Sequence, residues 1–152
     1  MKKFNFRLNK VLDYRLTLKK ESERELAQRN MRLRELEDEL KQIVKAQDST
    51  EINSQANMTM AEFSLVEGYL EYLQEKLVAQ RELVAQATEA VEEARINYIE
   101  KAKESAVLEK LKKKKFEAYR EETRRVERKD MNDLTTQRHR LMNKTLTGGG
   151  KN

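Results

Sequence analysis

The sequence predicts an all-α fold: a long two-helix antiparallel coiled-coil hairpin whose second helix is longer than the first. Three observations predict it. Charged residues make up 39% and hydrophobic residues 38% of the 152 residues, with no proline and only four glycines. Globular chains carry roughly 25% charge, so this one has too little apolar surface for an ordinary core, and its Glu, Lys, Arg, Leu, Ala and Gln favour long helices. Apolar residues also recur at alternating three- and four-residue steps in two separate arms, the spacing of a heptad seam. Between the arms lies a polar stretch without that periodicity.

The first arm spans 4–47, with Leu26, Leu33, Leu36, Leu40 and Ile43 as its seam and Leu8 and Leu12 upstream in a compatible frame. Arg15, Lys19, Ser22 and Arg29 interrupt it, so the amino-terminal third is expected to pair less tightly. The turn is expected over 48–59, within "AQDSTEINSQANMT", where Asp48, Ser49 and Thr59 are candidate helix caps. The second arm covers 60–146, and its seam is Phe63, Val66, Leu70, Leu73, Leu77, Val84, Ala87, Val91, Ala94 and Tyr98, broken at Gln80. Residues 147–152 read as a flexible tail. Two seams joined by a polar turn zip together as an antiparallel hairpin. A single long helix dimerising in parallel would leave the turn without a purpose.

Charge agrees with the hairpin. Met1 to Gln47 has 13 basic against 8 acidic residues, and Met60 to Glu104 has 5 against 10. Exposed ion pairs are worth only about 0–1 kcal/mol each, so this complementarity selects a register more than it stabilises. With roughly 44 and 86 helical residues the arms are unequal, and the first is expected to run out near residue 104. Everything from Ser105 onward is then an overhang, where Glu109 to Lys129 carries ten basic residues against five acidic ones.

The composition limits what the chain can do. With no cysteine and His139 as its one histidine, the sequence holds no thiolate metal site, no histidine pair and no Ser-His-Asp set, so neither enzyme activity, a cofactor nor a small-molecule substrate is expected. "GGGKN" lacks the strand and spacing of a phosphate loop, and the sequons at Asn57 and Asn143 are read as chance matches. No apolar run of signal-peptide or membrane-span length is present, which points to the cytoplasm.

Two features point outward. Leu65, Tyr69, Tyr72, Ala79 and Leu83 form a second apolar stripe off the seam, which a two-stranded coil leaves in water, either as ordinary exposed apolar residues or as a docking face. In "LEKLKKKKFEAYREETRRVERKD", Lys112, Lys113, Lys114 and Lys115 are followed by Phe116 and Tyr119, with Arg120, Arg124 and Arg125 interleaved. Aromatic anchors among cations suit a protein partner with acidic walls. A nucleic acid is the alternative for such a basic segment, disfavoured because Glu109, Glu117, Glu121 and Glu122 sit among the cations and no groove-reading fold is predicted. A homodimeric structural coil without a dedicated partner is a third reading; the hairpin implies a monomer.

"FNFRLNKVLDYR" at the start and "LEKLKKKKFEAYREETRRVERKDMNDL" towards the end resemble the two ends of the flagellar export protein FliJ family, and the resemblance covers nearly the whole chain. It implies a two-helix rod similar to the central stalk of rotary ATPases. Such a rod enters the hexameric ring of the flagellar type III export ATPase, promotes ring assembly, and links the ring to the export gate by binding the gate protein FlhA at the cytoplasmic face of the inner membrane. Escort of export chaperones is also attributed to the family. By that likeness the ring-binding residues are Phe4, Phe6, Arg7, Leu8, Leu12 and Arg15 with Lys112 to Phe116, Tyr119, Arg120 and Arg124. The gate-binding face holds Leu65, Tyr69, Tyr72, Leu73, Ala79 and Leu83.

Overall fold

The computed structural model describes residues 3–147. They form two long helices packed against each other, α1 over Asn9–Asn53 and α2 over Met60–Thr147, and no strand occurs among the described residues. Residues group into two compact units: Asp13–Ser105, and a second in which the residues before Asp13 pack with those from Ala106 onward.

In the unit Asp13–Ser105 the pairing is antiparallel, since Arg15 meets Glu104 while Gln80 meets Leu36 and Glu39. Leu36, Leu73, Leu77 and Ala94 are buried on the predicted seams. Of the weak positions, Ser22 is not loose, whereas Arg29 stays exposed. Ser22 is 4% and Ser105 1% exposed, lower than most of the leucines. Each hydroxyl donates to a carbonyl of its own helix, Ser22 Oγ to Lys19 O at 2.8 Å and Ser105 Oγ to Ala102 O at 3.0 Å. A small, internally satisfied side chain lets the partner helix close over it, and Arg15 and Lys19 are themselves half-buried. The expectation of looser pairing in this third of α1 is therefore corrected at Ser22.

Gln80, the break in the second seam, is also buried. Its amide donates to the Leu36 carbonyl and to the Glu39 carboxylate, both at 3.0 Å. No buried side-chain N or O lacks a partner among the described residues. Arg15–Glu104 is an ion pair that joins the helices, whereas Arg29–Glu25, Arg32–Glu35 and Arg95–Glu92 each lie within one helix. The opposite charges of the arms thus act as a diffuse bias rather than as a ladder of contacts.

The turn departs from expectation on one side. α1 begins at Asn9 rather than Phe4 and continues through Asn53, so Asp48 and Ser49 lie inside it and cap nothing. Thr50 Oγ1 donates to Ala46 O at 2.7 Å and Ser54 Oγ to Glu51 O at 2.7 Å, which removes the competition that polar residues usually offer to a helix. The chain then leaves α1 through Gln55 N–H to Ile52 O at 3.3 Å and Ala56 N–H to Asn53 O at 3.4 Å. Thr59 opens α2 with a reciprocal cap: the Thr59 N–H donates to the Glu62 carboxylate at 2.9 Å, and the Glu62 N–H donates to Thr59 Oγ1 at 3.3 Å.

The overhang expected from Ser105 is corrected too. In the second unit Lys112 Nζ donates to Asn9 Oδ1 at 2.8 Å, and Phe4 packs on Phe116 and Tyr119. α1 takes in residues assigned to the turn, which moves the reversal towards Thr59. Residues 3–6 lie outside any helix or turn, where a chain can advance up to about 3.3 Å per residue instead of 1.5 Å, so a few of them can cover a longer stretch of α2. The exposed stretch begins later: from Arg124 to Leu146 every residue is exposed. The tail expected at 147–152 lies outside the described residues except for Thr147, which closes α2.

Gln80→Glu is expected to destabilise the helix pairing by roughly 1–3 kcal/mol at neutral pH, because a carboxylate there would face the Leu36 carbonyl and the Glu39 carboxylate without a proton to donate. Urea denaturation followed by circular dichroism reads the loss, and a variant as stable as the parent would show that this amide is not part of the pairing.

The Thr59 cap holds the Glu62 carboxyl below its usual range, through the Thr59 N–H first and its hydroxyl second. A lowered folded-state value means that the cap stabilises the first turn of α2 above the ordinary glutamate range, and that this is lost as pH falls through the lowered value. Amide exchange at residues 60–63 is expected to accelerate over that acid window in the parent, and to show no such step in Glu62→Ala.

Candidate interaction surfaces

Residues 3–8, non-helical with a turn at Arg7 and Leu8, carry two aromatics at alternate positions. Phe6 is 6% exposed and Leu12, one turn into α1, is 4% exposed; together they form the apolar core of the unit that joins the first residues to α2. Phe4 is half-buried and completes a cluster. Its ring stands edge-on to Phe116 with centroids 5.1 Å apart and lies 5.5 Å from Tyr119, while Phe116 and Tyr119 stack at 6.4 Å. Offset and edge-to-face arrangements at these distances add about 0.5–1.5 kcal/mol per pair beyond the area they bury.

The cluster is surrounded by positive charge. Lys113, Lys114, Lys115, Arg120, Arg124 and Arg7 are exposed, and Phe116 keeps 42% of its surface accessible. An aromatic platform with cations around it can accept an apolar side chain at its centre and carboxylates at its rim. The remaining sequence-predicted residues divide into two groups. Leu8 is 36% exposed at the start of α1, whereas Phe6 and Leu12 are interior and Arg15 is engaged with Glu104 in the other unit. Phe116 and Tyr119 were read as belonging to an unpaired overhang; they are in fact the seat of Phe4.

The second surface lies in the unit Asp13–Ser105. Tyr69 and Tyr72 stack with centroids 6.3 Å apart and are each about half exposed, and Lys76 Nζ sits 5.1 Å over the Tyr72 ring. The Tyr72 hydroxyl beside it, followed by the charge that hydroxyl carries when ionised, raises the Lys76 ammonium above its usual range. With Glu39, Gln42 and Ile43 of α1 these side chains line a shallow groove. Leu65 and Leu83 are exposed at 75% and 44%, and Ala79 is exposed. Leu73 differs: it lines the groove too, but at 4% exposure it is a seam residue with little surface to offer a partner, a correction to its place on the docking face.

Sequence reasoning overlooked Asn9 and Lys76. Asn9 holds Lys112, which no local spacing announces. Lys76 stands four residues after Tyr72, and that helical spacing with a cation–π pair in mind would have found it. Among the described residues no group of three or more His, Cys, Asp or Glu side chains could hold a metal ion, and no helix is long and apolar enough to cross a membrane.

A family model described as "Flagellar FliJ protein" matches residues 4–144, from the first ring of the aromatic cluster almost to the end of α2. The chain belongs to the FliJ family. No curated protein and no solved structure matches it. Membership makes this a protein of flagellar export, in a family of non-enzymatic components of that apparatus.

The aromatic cluster is expected to fasten residues 3–8. Phe4→Ala and Phe116→Ala should each speed amide exchange at residues 9–12, and a double-mutant cycle should show a coupling of about 0.5–1.5 kcal/mol between the two positions. Additive effects would mean that the rings do not act as a pair.

Proposed function

We propose that this FliJ-family chain is the non-catalytic stalk of the flagellar type III export ATPase. The surface around Phe4, Phe116 and Tyr119 enters the hexameric ring, with Lys112 to Lys115, Arg120 and Arg124 meeting acidic groups of its lining. Arg7 and Leu8 contribute at the rim, and Phe6 and Leu12 shape the surface from beneath it. The chain promotes ring assembly and couples the ring to the export gate by binding FlhA through Leu65, Tyr69, Tyr72, Ala79 and Leu83. It also escorts export chaperones, and it acts at the cytoplasmic face of the inner membrane.

The observation that carries the reading is the aromatic cluster itself. In a chain this polar, three aromatic rings assembled with 42% of Phe116 left accessible and surrounded by exposed cations are the arrangement of an anchor for a protein wall. Interface anchors are typically aromatic or arginine, and a rim of charge steers approach more than it adds affinity. The family match supports the apparatus in which that wall is placed.

The test is hexamer formation and ATP turnover by the purified export ATPase with and without this protein. Both are expected to rise when the protein is added, and Phe116→Ala/Tyr119→Ala is expected to reduce the effect by tenfold or more, the scale on which interface hot spots act. No change in either quantity with the parent protein would sink the stalk reading.

A further inference from the structure

The last exposed stretch of α2 has a composition of its own. From Leu134 to Leu146 there is no acidic residue, while Arg138, Arg140 and Lys144 are present and none of the three takes part in an ion pair among the described residues. Met131, Leu134, Leu141, Met142 and Leu146 follow one another at three-, seven-, one- and four-residue steps, which gathers them on one side of the helix. They are 65%, 60%, 65%, 69% and 80% exposed.

This is not merely the hairpin seam running on without a partner. The heptad frame that passes through Tyr119 and Thr123 continues to Val126, Asp130, Asp133, Gln137 and Arg140, so it turns polar after Val126. The apolar side instead widens to take in Met131 and Met142, broader than the narrow strip that a second helix would cover. Arg138 lies within that side, where only a partner that lets a long side chain reach back to water tolerates it. Thr135, Thr136 and Thr145 donate their hydroxyls to Met131 O, Asn132 O and Met142 O, so they need no water at the interface.

We propose that residues 131–146 bind an anionic lipid surface, lying in the headgroup layer with the methionines and leucines inward, Arg138 reaching back to the phosphates from among them, and Arg140 and Lys144 adding positive charge from the far side of the helix. A basic amphipathic helix of this type lies on a membrane and does not span it, and no helix of the described residues is apolar enough to cross one. The proposal does not depend on the stalk reading, since it concerns the protein alone and residues outside the aromatic cluster.

Flotation of the full chain with phosphatidylcholine vesicles, with and without phosphatidylglycerol, tests it. Binding is expected only to the vesicles containing phosphatidylglycerol and should fall as salt is raised. Leu134→Glu/Leu141→Glu should abolish it, and Arg138→Gln/Lys144→Gln should weaken it by about tenfold or more. All four residues are exposed, so the helicity of both variants should match the parent. Failure to float with anionic vesicles at low salt, undiminished binding by Leu134→Glu/Leu141→Glu, or retention of this segment by acidic proteins but not by lipid would each overturn it.

Discussion

A polar side chain inside a two-helix seam must be satisfied by the opposite helix or by its own, and this constraint organises the structure. Gln80 takes the first course and donates to Leu36 and Glu39 of α1. Ser22 and Ser105 take the second, each turning its hydroxyl back to its own backbone. The two solutions do different work. A serine bonded to its own helix is compatible with any register, so it permits close approach without choosing a partner. Gln80 requires one carbonyl on the other helix, and a slip in the unit Asp13–Ser105 would strand both the amide and the Arg15–Glu104 pair. In an arm with few apolar side chains, specificity falls to such residues.

The same economy applies to the unit that holds the chain's first residues. Phe6 and Leu12 are interior, and Phe4 reaches Phe116 and Tyr119, so a non-helical segment is held by aromatic contact where a further helical turn would have presented Lys3, Asn5 and Arg7 as readily as the phenylalanines. Half-exposed rings then become available beside a group of lysines and arginines.

Much of this was legible in the sequence, for identifiable reasons. Long arms without proline, a period between three and four, and a Thr59–Glu62 spacing that forms a capping box are local signals, and local signals survive folding. The start of α2 at Met60 is one of them. What was not legible depended on distance or on small size. Asp48 to Asn53 look like a turn because their side chains usually compete for the backbone, and nothing local tells that Thr50 would bond back to Ala46 inside the helix and Ser54 to Glu51 just past its end. Ser22 and Ser105 look like gaps in a seam when residues are ranked by apolarity, although their size is what closes the helices together. Phe4, Phe116 and Tyr119 were each singled out, but that they belong to one cluster follows from where the chain reverses, which the sequence reading placed several residues too early. Leu73 illustrates the opposite error, a leucine credited to the surface and the interior at once and claimed by the interior.

The interior itself is sparse. Phe6, Leu12, Leu36, Leu73, Leu77 and Ala94 are the buried hydrophobic residues among those described, in a chain with an accessible surface of 13220 Å². The heat-capacity change of unfolding follows the apolar area released, at about 0.45 cal/K/mol per Å². For its length this protein should therefore have a small one, and a stability curve that is broad and shallow rather than sharply domed. Its melting would spread over a wide temperature range, with the exposed end of α2 loosening well before the part of the seam around Gln80.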